Sequence, residues 1–121
     1  MLKELLSRKS TKEFQTKGLE EPIFLSKISA LERAKFLDST KGDEDTSYEN
    51  FTRSMALLVQ LSLCDNSGNR IYAQNEIDEL MNVDGDRLQE IYKLSADYNG
   101  LLPESVPEAG KNSGTIQSSD S

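Results

Sequence analysis

The sequence predicts a mainly α protein, a small helical domain of four to five helices with a minor N-terminal β-hairpin and a disordered C-terminal tail. Apolar residues between Phe51 and Leu61 cover most of the circumference of one helix, which must therefore be central. Ser-x-x-Glu and Thr-x-x-Glu capping boxes at Ser29 and Thr46 mark two helix starts. From Pro103 the composition changes to Pro, Glu, Gly, Ser, Asn and Thr, which is typical of disorder.

The composition favours one acidic domain over residues 1–102, followed by a tail over residues 103–121. The chain has 121 residues, enough for a single core. Its net charge of -7 disfavours binding to nucleic acid and to anionic membranes. The longest apolar run, residues 55–59, is far shorter than the roughly 20 residues that cross a bilayer. With no signal-peptide pattern, we expect a soluble protein that stays in the compartment where it is made.

The N-terminal segment is predicted to form one or two helical turns and then a hairpin. Leu2, Leu5 and Leu6 have the i, i+3, i+4 spacing of an amphipathic helix. Gly18 offers a turn and Pro22 favours extended structure before it, so residues 13–16 and 23–27 are predicted to pair as strands.

Two capped helices should follow the hairpin. The first runs from Ser29 to about Ser39 and should bury Leu31, Ala34 and Leu37. The carboxylate run at residues 43–45 is most simply a solvated loop. The second helix opens at Thr46 and should bury Phe51, Met55, Leu57, Leu58, Val59 and Leu61.

Two shorter helices are predicted beyond the central one, each with an N-cap residue. Asn75 can cap a third helix that carries Ile77, Leu80 and Met81. Asp84 can cap a fourth, which ends at Gly100 and carries Leu88, Ile91, Tyr92 and Ser95.

The segment between the central and third helices supports two interpretations. As a calcium loop it would place ligands at Asp65, Ser67, Asn69, the Ile71 carbonyl and Glu76. However, Arg70 occupies the position where such loops need glycine, and only two ligands are charged. We therefore favour a structural turn at residues 66–69, after which Ile71 and Tyr72 return to the core and no metal is bound.

The residues give little support to catalysis. There is no histidine, and the one cysteine, Cys64, follows apolar residues and is predicted to be a buried small hydrophobe. Carboxylate pairs such as Glu76 with Glu79 lie on polar helix faces. No phosphate loop, Gly-x-Ser-x-Gly or dinucleotide motif occurs, so we predict neither an enzyme nor a cofactor.

The pattern over residues 55–100 resembles the tail assembly chaperones of long, non-contractile-tailed bacteriophages. In those small, acidic, mostly helical proteins, an apolar helix meets an acidic, glycine-containing turn with a basic residue and an aromatic. Here that turn reads Cys-Asp-Asn-Ser-Gly-Asn-Arg-Ile-Tyr at residues 64–72, and a Ser-Ala-Leu-Glu-Arg helix start stands at residues 29–33. The basic region at residues 2–17 departs from the family pattern because it is less strand-like.

The resemblance implies a chaperone that binds and solubilises the tape measure protein and helps recruit tail tube subunits, with self-association. It implies the host bacterial cytoplasm and absence from the mature virion. It also implies a longer form made by ribosomal frameshifting, and Gly110-Lys111 is a dipeptide that a slippery codon run can encode. The alternatives are a calcium-binding module and an acidic regulatory or adaptor protein.

For partner contact, the apolar residues near the N-terminus are the best candidates. They are Leu2, Leu5 and Leu6, together with Phe24 and Leu25 at the edge of the predicted hairpin. A helical client would present an apolar face to such a surface.

Overall fold

The computed structural model describes residues 1–7, 10–41 and 48–101, and within these ranges it confirms the mainly α fold with an N-terminal hairpin. The elements in order are α1 (Leu2–Ser7), β1 (Thr11–Phe14), β2 (Ile23–Ser26), α2 (Ala30–Thr40), α3 (Tyr48–Ser62), β3 (Leu63–Cys64), a 3-10 turn (Gln74–Glu76), α4 (Ile77–Met81) and α5 (Gly85–Tyr98). The predicted tail at residues 103–121, the carboxylate run and the Thr46 cap lie outside the described residues.

The strands form one antiparallel sheet in the order β1-β2-β3. The predicted hairpin is present, but its first strand lies at residues 11–14 instead of 13–16, with Thr11 opposite Ser26 and Phe14 opposite Ile23. The third strand was not predicted, since its two residues directly follow α3 and read as the end of that helix. Phe24 lies opposite Cys64 in this second pairing. The contact joins residues 40 positions apart, so no local pattern could indicate it.

Helix α3 is central, as predicted, because its residues take part in both parts of the core. The larger cluster joins β2, α3, β3, α4 and α5 and consists of Leu25, Met55, Ala56, Val59, Leu63, Leu80, Leu88 and Ile91. The smaller one consists of Phe36, Leu58, Ala96 and Leu101. Complete burial of one such leucine stabilises the fold by about 1.5–3 kcal/mol.

The buried face of α2 differs from the prediction. Phe36 is 2% exposed, whereas Leu31 is 66% exposed. Ala34 is also exposed, and Leu37 is half-buried. Phe36 packs 6.3 Å from the ring of Tyr92, measured between centroids. The largest apolar side chain of the helix thus faces α5, and this rotation turns Leu31 toward solvent.

Two of the predicted caps are present. The Ser29 hydroxyl accepts from the Glu32 amide, and the Glu32 carboxylate accepts from the Ser29 amide. The Asp84 carboxylate accepts from the first free amides of α5. Gly100 ends α5 with a φ of 69°, which favours glycine.

The prediction that Asn75 caps the third helix is wrong. Asn75 lies inside the 3-10 turn, and the Glu76 carboxylate accepts a 2.7 Å hydrogen bond from the amide of Ala73 instead. The reciprocal part of a capping box is therefore used here without a polar N-cap side chain.

Asn99, at the C-terminal end of α5, holds three parts of the fold together. Its side chain accepts from the Ile28 amide at 2.9 Å and donates to the carbonyls of Ser26 at 3.3 Å and Ser95 at 3.1 Å. Its own carbonyl accepts from the Arg33 guanidinium at 3.1 Å. The residue is 8% exposed, so these bonds fix the end of β2 and the start of α2 to α5 with little competition from water.

Candidate protein-binding surface

The N-terminal arm, defined here as residues 1–7, exposes a set of large apolar side chains. Met1 is 94% exposed, Leu2 68%, Leu5 55% and Leu6 77%. None of the residues of α1 is buried. Three leucines at helical spacing on an uncovered helix expose an unusually large apolar surface, so the arm is a candidate binding element.

The other two predicted contact residues, Phe24 and Leu25, lie on β2 and face opposite sides of the sheet. Leu25 is fully buried in the core, whereas Phe24 is half-buried. Neighbours on a strand point to opposite faces, so the two could not share one surface. Leu25 is therefore a core residue, and only Phe24 remains accessible to a partner.

A second apolar surface, which we call the aromatic patch, consists of Tyr48 and Phe51 on the first turns of α3 and Tyr92 of α5. Tyr48 is 92% exposed and Phe51 is 47% exposed. The rings of Phe51 and Tyr92 meet edge to face with centroids 6.3 Å apart. Partial burial raises the pKa of Tyr92 above its ordinary value. The Tyr92 ring is therefore uncharged near neutral pH, and aromatic rings are suited to apolar contact.

The sequence placed Phe51 in the core because the patch continues the buried stripe of α3. Phe51 is one turn and Tyr48 two turns before Met55 on the same helical face. Met55 is 9% exposed, so the stripe is covered at that point and uncovered one turn earlier. Which turns of a stripe are covered depends on the length of the neighbouring helices, which periodicity does not reveal.

Charge is distributed unevenly along the sequence. Residues 1–17 contain five basic side chains and two carboxylates, so the arm belongs to a basic segment of an acidic chain. Residues 38–53, which flank the aromatic patch, contain five carboxylates and two basic side chains.

The turn after α3 is held by hydrogen bonds to the side chain of Asp65. The Asp65 carboxylate accepts from the amides of Ser67 at 2.8 Å and Asn69 at 2.9 Å. These backbone hydrogen bonds, that from Asn69 first, lower the pKa of Asp65. Gly68 has a φ of 88°, and the Arg70 guanidinium pairs with the Glu32 carboxylate of α2.

The residues that follow the turn only partly agree with the prediction. Tyr72 packs on the core, as predicted, but Ile71 is 52% exposed. The amide of Ile71 donates to the Leu63 carbonyl at 3.2 Å, which extends the hairpin-like pairing and directs the Ile71 side chain outward.

Cys64 is buried, as predicted. It is 3% exposed, and its thiol lies 3.5 Å from the Phe24 carbonyl, to which it donates. Burial, and secondarily the negative charge of Asp65, raise the pKa of this thiol. The thiol is therefore protonated near neutral pH and is a poor nucleophile.

Within the described ranges, no three carboxylate or thiol side chains converge where they could hold a metal ion. Among the same residues, no helix has the length and apolar character needed to cross a membrane. The features of this part of the chain that stand out are thus the two apolar surfaces.

Comparison with known proteins shows a related fold. No protein-family model and no curated protein matches the sequence. Among solved structures, the bacteriophage HK97 tail assembly chaperone superimposes with a TM-score of 0.64 at 15% sequence identity. The match covers 79% of this chain and 94% of that chain. The two proteins therefore share a fold over nearly the whole length of the HK97 protein.

Proposed function

We propose that this chain is a phage tail assembly chaperone of the kind that serves long, non-contractile tails. It binds apolar helical segments of the tape measure protein, keeps that protein soluble and helps recruit tail tube subunits around it. The shared fold with the HK97 tail assembly chaperone carries this proposal. The exposed leucines of the N-terminal arm and the resemblance of the turn at residues 64–72 support it.

The N-terminal arm suits a chaperone because a client with uncovered helix faces needs apolar contacts that can be made and released. The arm offers Leu2, Leu5 and Leu6 on one short helix, with Phe24 as the accessible apolar residue of β2. Burial of one leucine contributes about 1.5–3 kcal/mol, so a few such contacts give reversible binding. The polymerising tail tube then displaces the chaperone, which acts in the host bacterial cytoplasm, has no enzymatic role and is absent from the mature virion.

Co-expression with the tape measure protein tests the function. We expect the wild-type chain to raise the soluble fraction of the tape measure protein and to co-purify with it. Tube subunits should join that complex only when this chain is present. A tape measure protein that stays equally insoluble with and without the chain would refute the proposed function.

A pair of variants tests the role of the arm separately. Leu5→Asp combined with Leu6→Asp should weaken client binding by at least about tenfold, because two apolar contacts are lost and two charges are added. The matched control is Leu31→Asp, since Leu31 is a leucine of similar exposure outside the arm. If the double variant solubilised the client as well as the control does, the function would stand and the arm would not be the binding element.

A further inference from the structure

We propose that the outer edge of β1 binds an extended segment of a partner protein, which adds a fourth strand to the sheet. The strand order β1-β2-β3 gives β1 a neighbouring strand on one side only in the described part of the chain. Three of its four residues are exposed. A strand edge of this kind binds an extended chain through main-chain hydrogen bonds, which is a different mode of contact from the packing of apolar helix faces.

The backbone of β1 bonds to β2 through alternate residues. The amide of Lys27 donates to the Ser10 carbonyl at 2.9 Å, so these two residues form a hydrogen-bonded pair. In an antiparallel register such pairs recur at every second residue, and the next one falls at Lys12. The intervening residues, Thr11 and Glu13, therefore direct their amide and carbonyl groups away from β2, toward the free edge.

The side chains along this edge determine which segment fits. Phe14 packs against the larger core cluster, and Lys12, two residues earlier on the strand, points to the same side of the sheet. The Phe14 ring meets the Tyr98 ring edge to face, with centroids 5.7 Å apart, and the Lys12 ammonium lies 5.3 Å from the centroid of the Phe14 ring. An added strand would thus have a cation and an apolar ring as its neighbours on this side.

Lys12 makes the edge selective. The ion pairs between described residues do not include it. A lysine at a strand edge disfavours pairing with an apolar or basic strand, because its ammonium would lose water without gaining a partner. A carboxylate directly opposite reverses the sign of this effect. The segment that fits therefore carries a carboxylate opposite Lys12, an apolar side chain opposite Phe14 and short polar residues on its other side.

A short peptide tests this pairing on the purified full chain without any client, so the result does not depend on the proposed function. The probe is a fluorescently labelled eight-residue peptide in which threonine alternates with valine and glutamate. We expect fluorescence anisotropy to give a dissociation constant at or below about 1 mM. In hydrogen exchange followed by NMR, the amides of Thr11 and Glu13 should exchange quickly in the free chain and become protected by the peptide. The amide of Lys12 should be protected in both states.

Two variants separate the backbone contact from the charge contact. Glu13→Pro removes an outward amide and leaves the hydrogen bonds from β1 to β2 in place, so peptide binding should weaken at least about tenfold. Its matched control, Glu13→Gln, keeps the amide and should bind within about twofold of wild type. Lys12→Glu should weaken binding by about three- to tenfold relative to Lys35→Glu, which changes an exposed lysine of α2 and has the same net charge.

Exchanging the two charges gives the decisive measurement. A peptide with lysine in place of glutamate should bind Lys12→Glu more tightly than it binds Lys35→Glu. This reversal requires contact between the peptide and residue 12, so a purely structural effect of the substitution would not produce it. Absence of binding at about 1 mM peptide, binding that Glu13→Pro leaves unchanged, or failure of the reversal would each overturn the proposal. Protection of the Thr11 and Glu13 amides that rises with protein concentration alone would also overturn it, because a second copy would then occupy the edge.

Discussion

Removing the side chain of Asn99 should destabilise the fold far more than the loss of an ordinary helix-end asparagine. In Asn99→Ala, the amide of Ile28 loses its acceptor and the carbonyl of Ser26 loses its donor. The carbonyl of Ser95 keeps a partner, because the backbone amide of residue 99 also donates to it at 2.9 Å. Two backbone groups in a poorly hydrated region are thus left without partners.

The expected size of this effect follows from those two groups. An orphaned polar group costs about 1–3 kcal/mol, so the loss of partners for two groups should lower the free energy of unfolding by about 2–6 kcal/mol. For a domain of this length the melting temperature would drop by roughly 10–25 °C. Urea unfolding followed by circular dichroism measures the first value, and hydrogen exchange at the Ile28 amide reports the local cause.

Asn82→Ala is a matched control. Asn82 is also a C-cap residue whose side chain donates to the carbonyl four positions earlier, that of Asp78, at 2.8 Å. Because this bond is exposed, its loss should cost less than about 1 kcal/mol. If the two variants lost equal stability, or if the Ile28 amide stayed as protected in Asn99→Ala as in wild type, the role assigned to Asn99 would be wrong.

Three further predictions concern Gly68 and Gly85, Cys64 of β3, and Asp65 in the turn that follows β3. Gly68→Ala should lower the free energy of unfolding by about 1–2 kcal/mol, because φ at Gly68 is 88°, whereas Gly85→Ala, with open space around the new methyl group, should be neutral or stabilising in the same urea titration. Cys64 should react with iodoacetamide at pH 8 much more slowly in the native than in the urea-unfolded chain. Because the pKa of this thiol is raised in the folded chain, the free energy of unfolding should fall as the pH rises above the thiol pKa of the unfolded chain, about 8.5. Cys64→Ala should remove this pH dependence. The lowered pKa of Asp65 stabilises the fold above the ordinary carboxyl pKa, and this stabilisation is lost as the pH falls through the pKa of the folded state. Acid unfolding of Asp65→Asn should therefore show a weaker pH dependence than that of wild type. An unchanged profile would contradict the hydrogen bonds assigned to this carboxylate.

Three of the helix ends were predictable from single residues and their neighbours. Ser29 and Asp84 cap their helices as expected, and Gly100 ends the last one, because a cap depends on backbone groups two or three positions away. The central position of α3 was also predictable, since a helix that is apolar on most sides needs partners on most sides.

The exposure of the residues proposed to contact a partner was predicted only in part. The spacing of Leu2, Leu5 and Leu6 indicated an amphipathic turn, and the structure leaves all three exposed. Leu25 was placed on the same surface but lies in the core. Tyr48 and Phe51 were not identified as surface residues, because the apolar stripe to which they belong is buried one turn further on.

The difference between these outcomes has one physical cause. Capping, turn formation and helical periodicity are set by atoms within about four residues along the chain, so the order of the residues is enough to read them. The pairing of β3 with β2, the rotation of α2 that buries Phe36 and exposes Leu31, and the uncovered turns at Tyr48 and Phe51 all depend on elements that are distant along the chain. The exposure of an apolar residue depends on what packs against it, and only the tertiary arrangement of the helices and the sheet decides which neighbours it has.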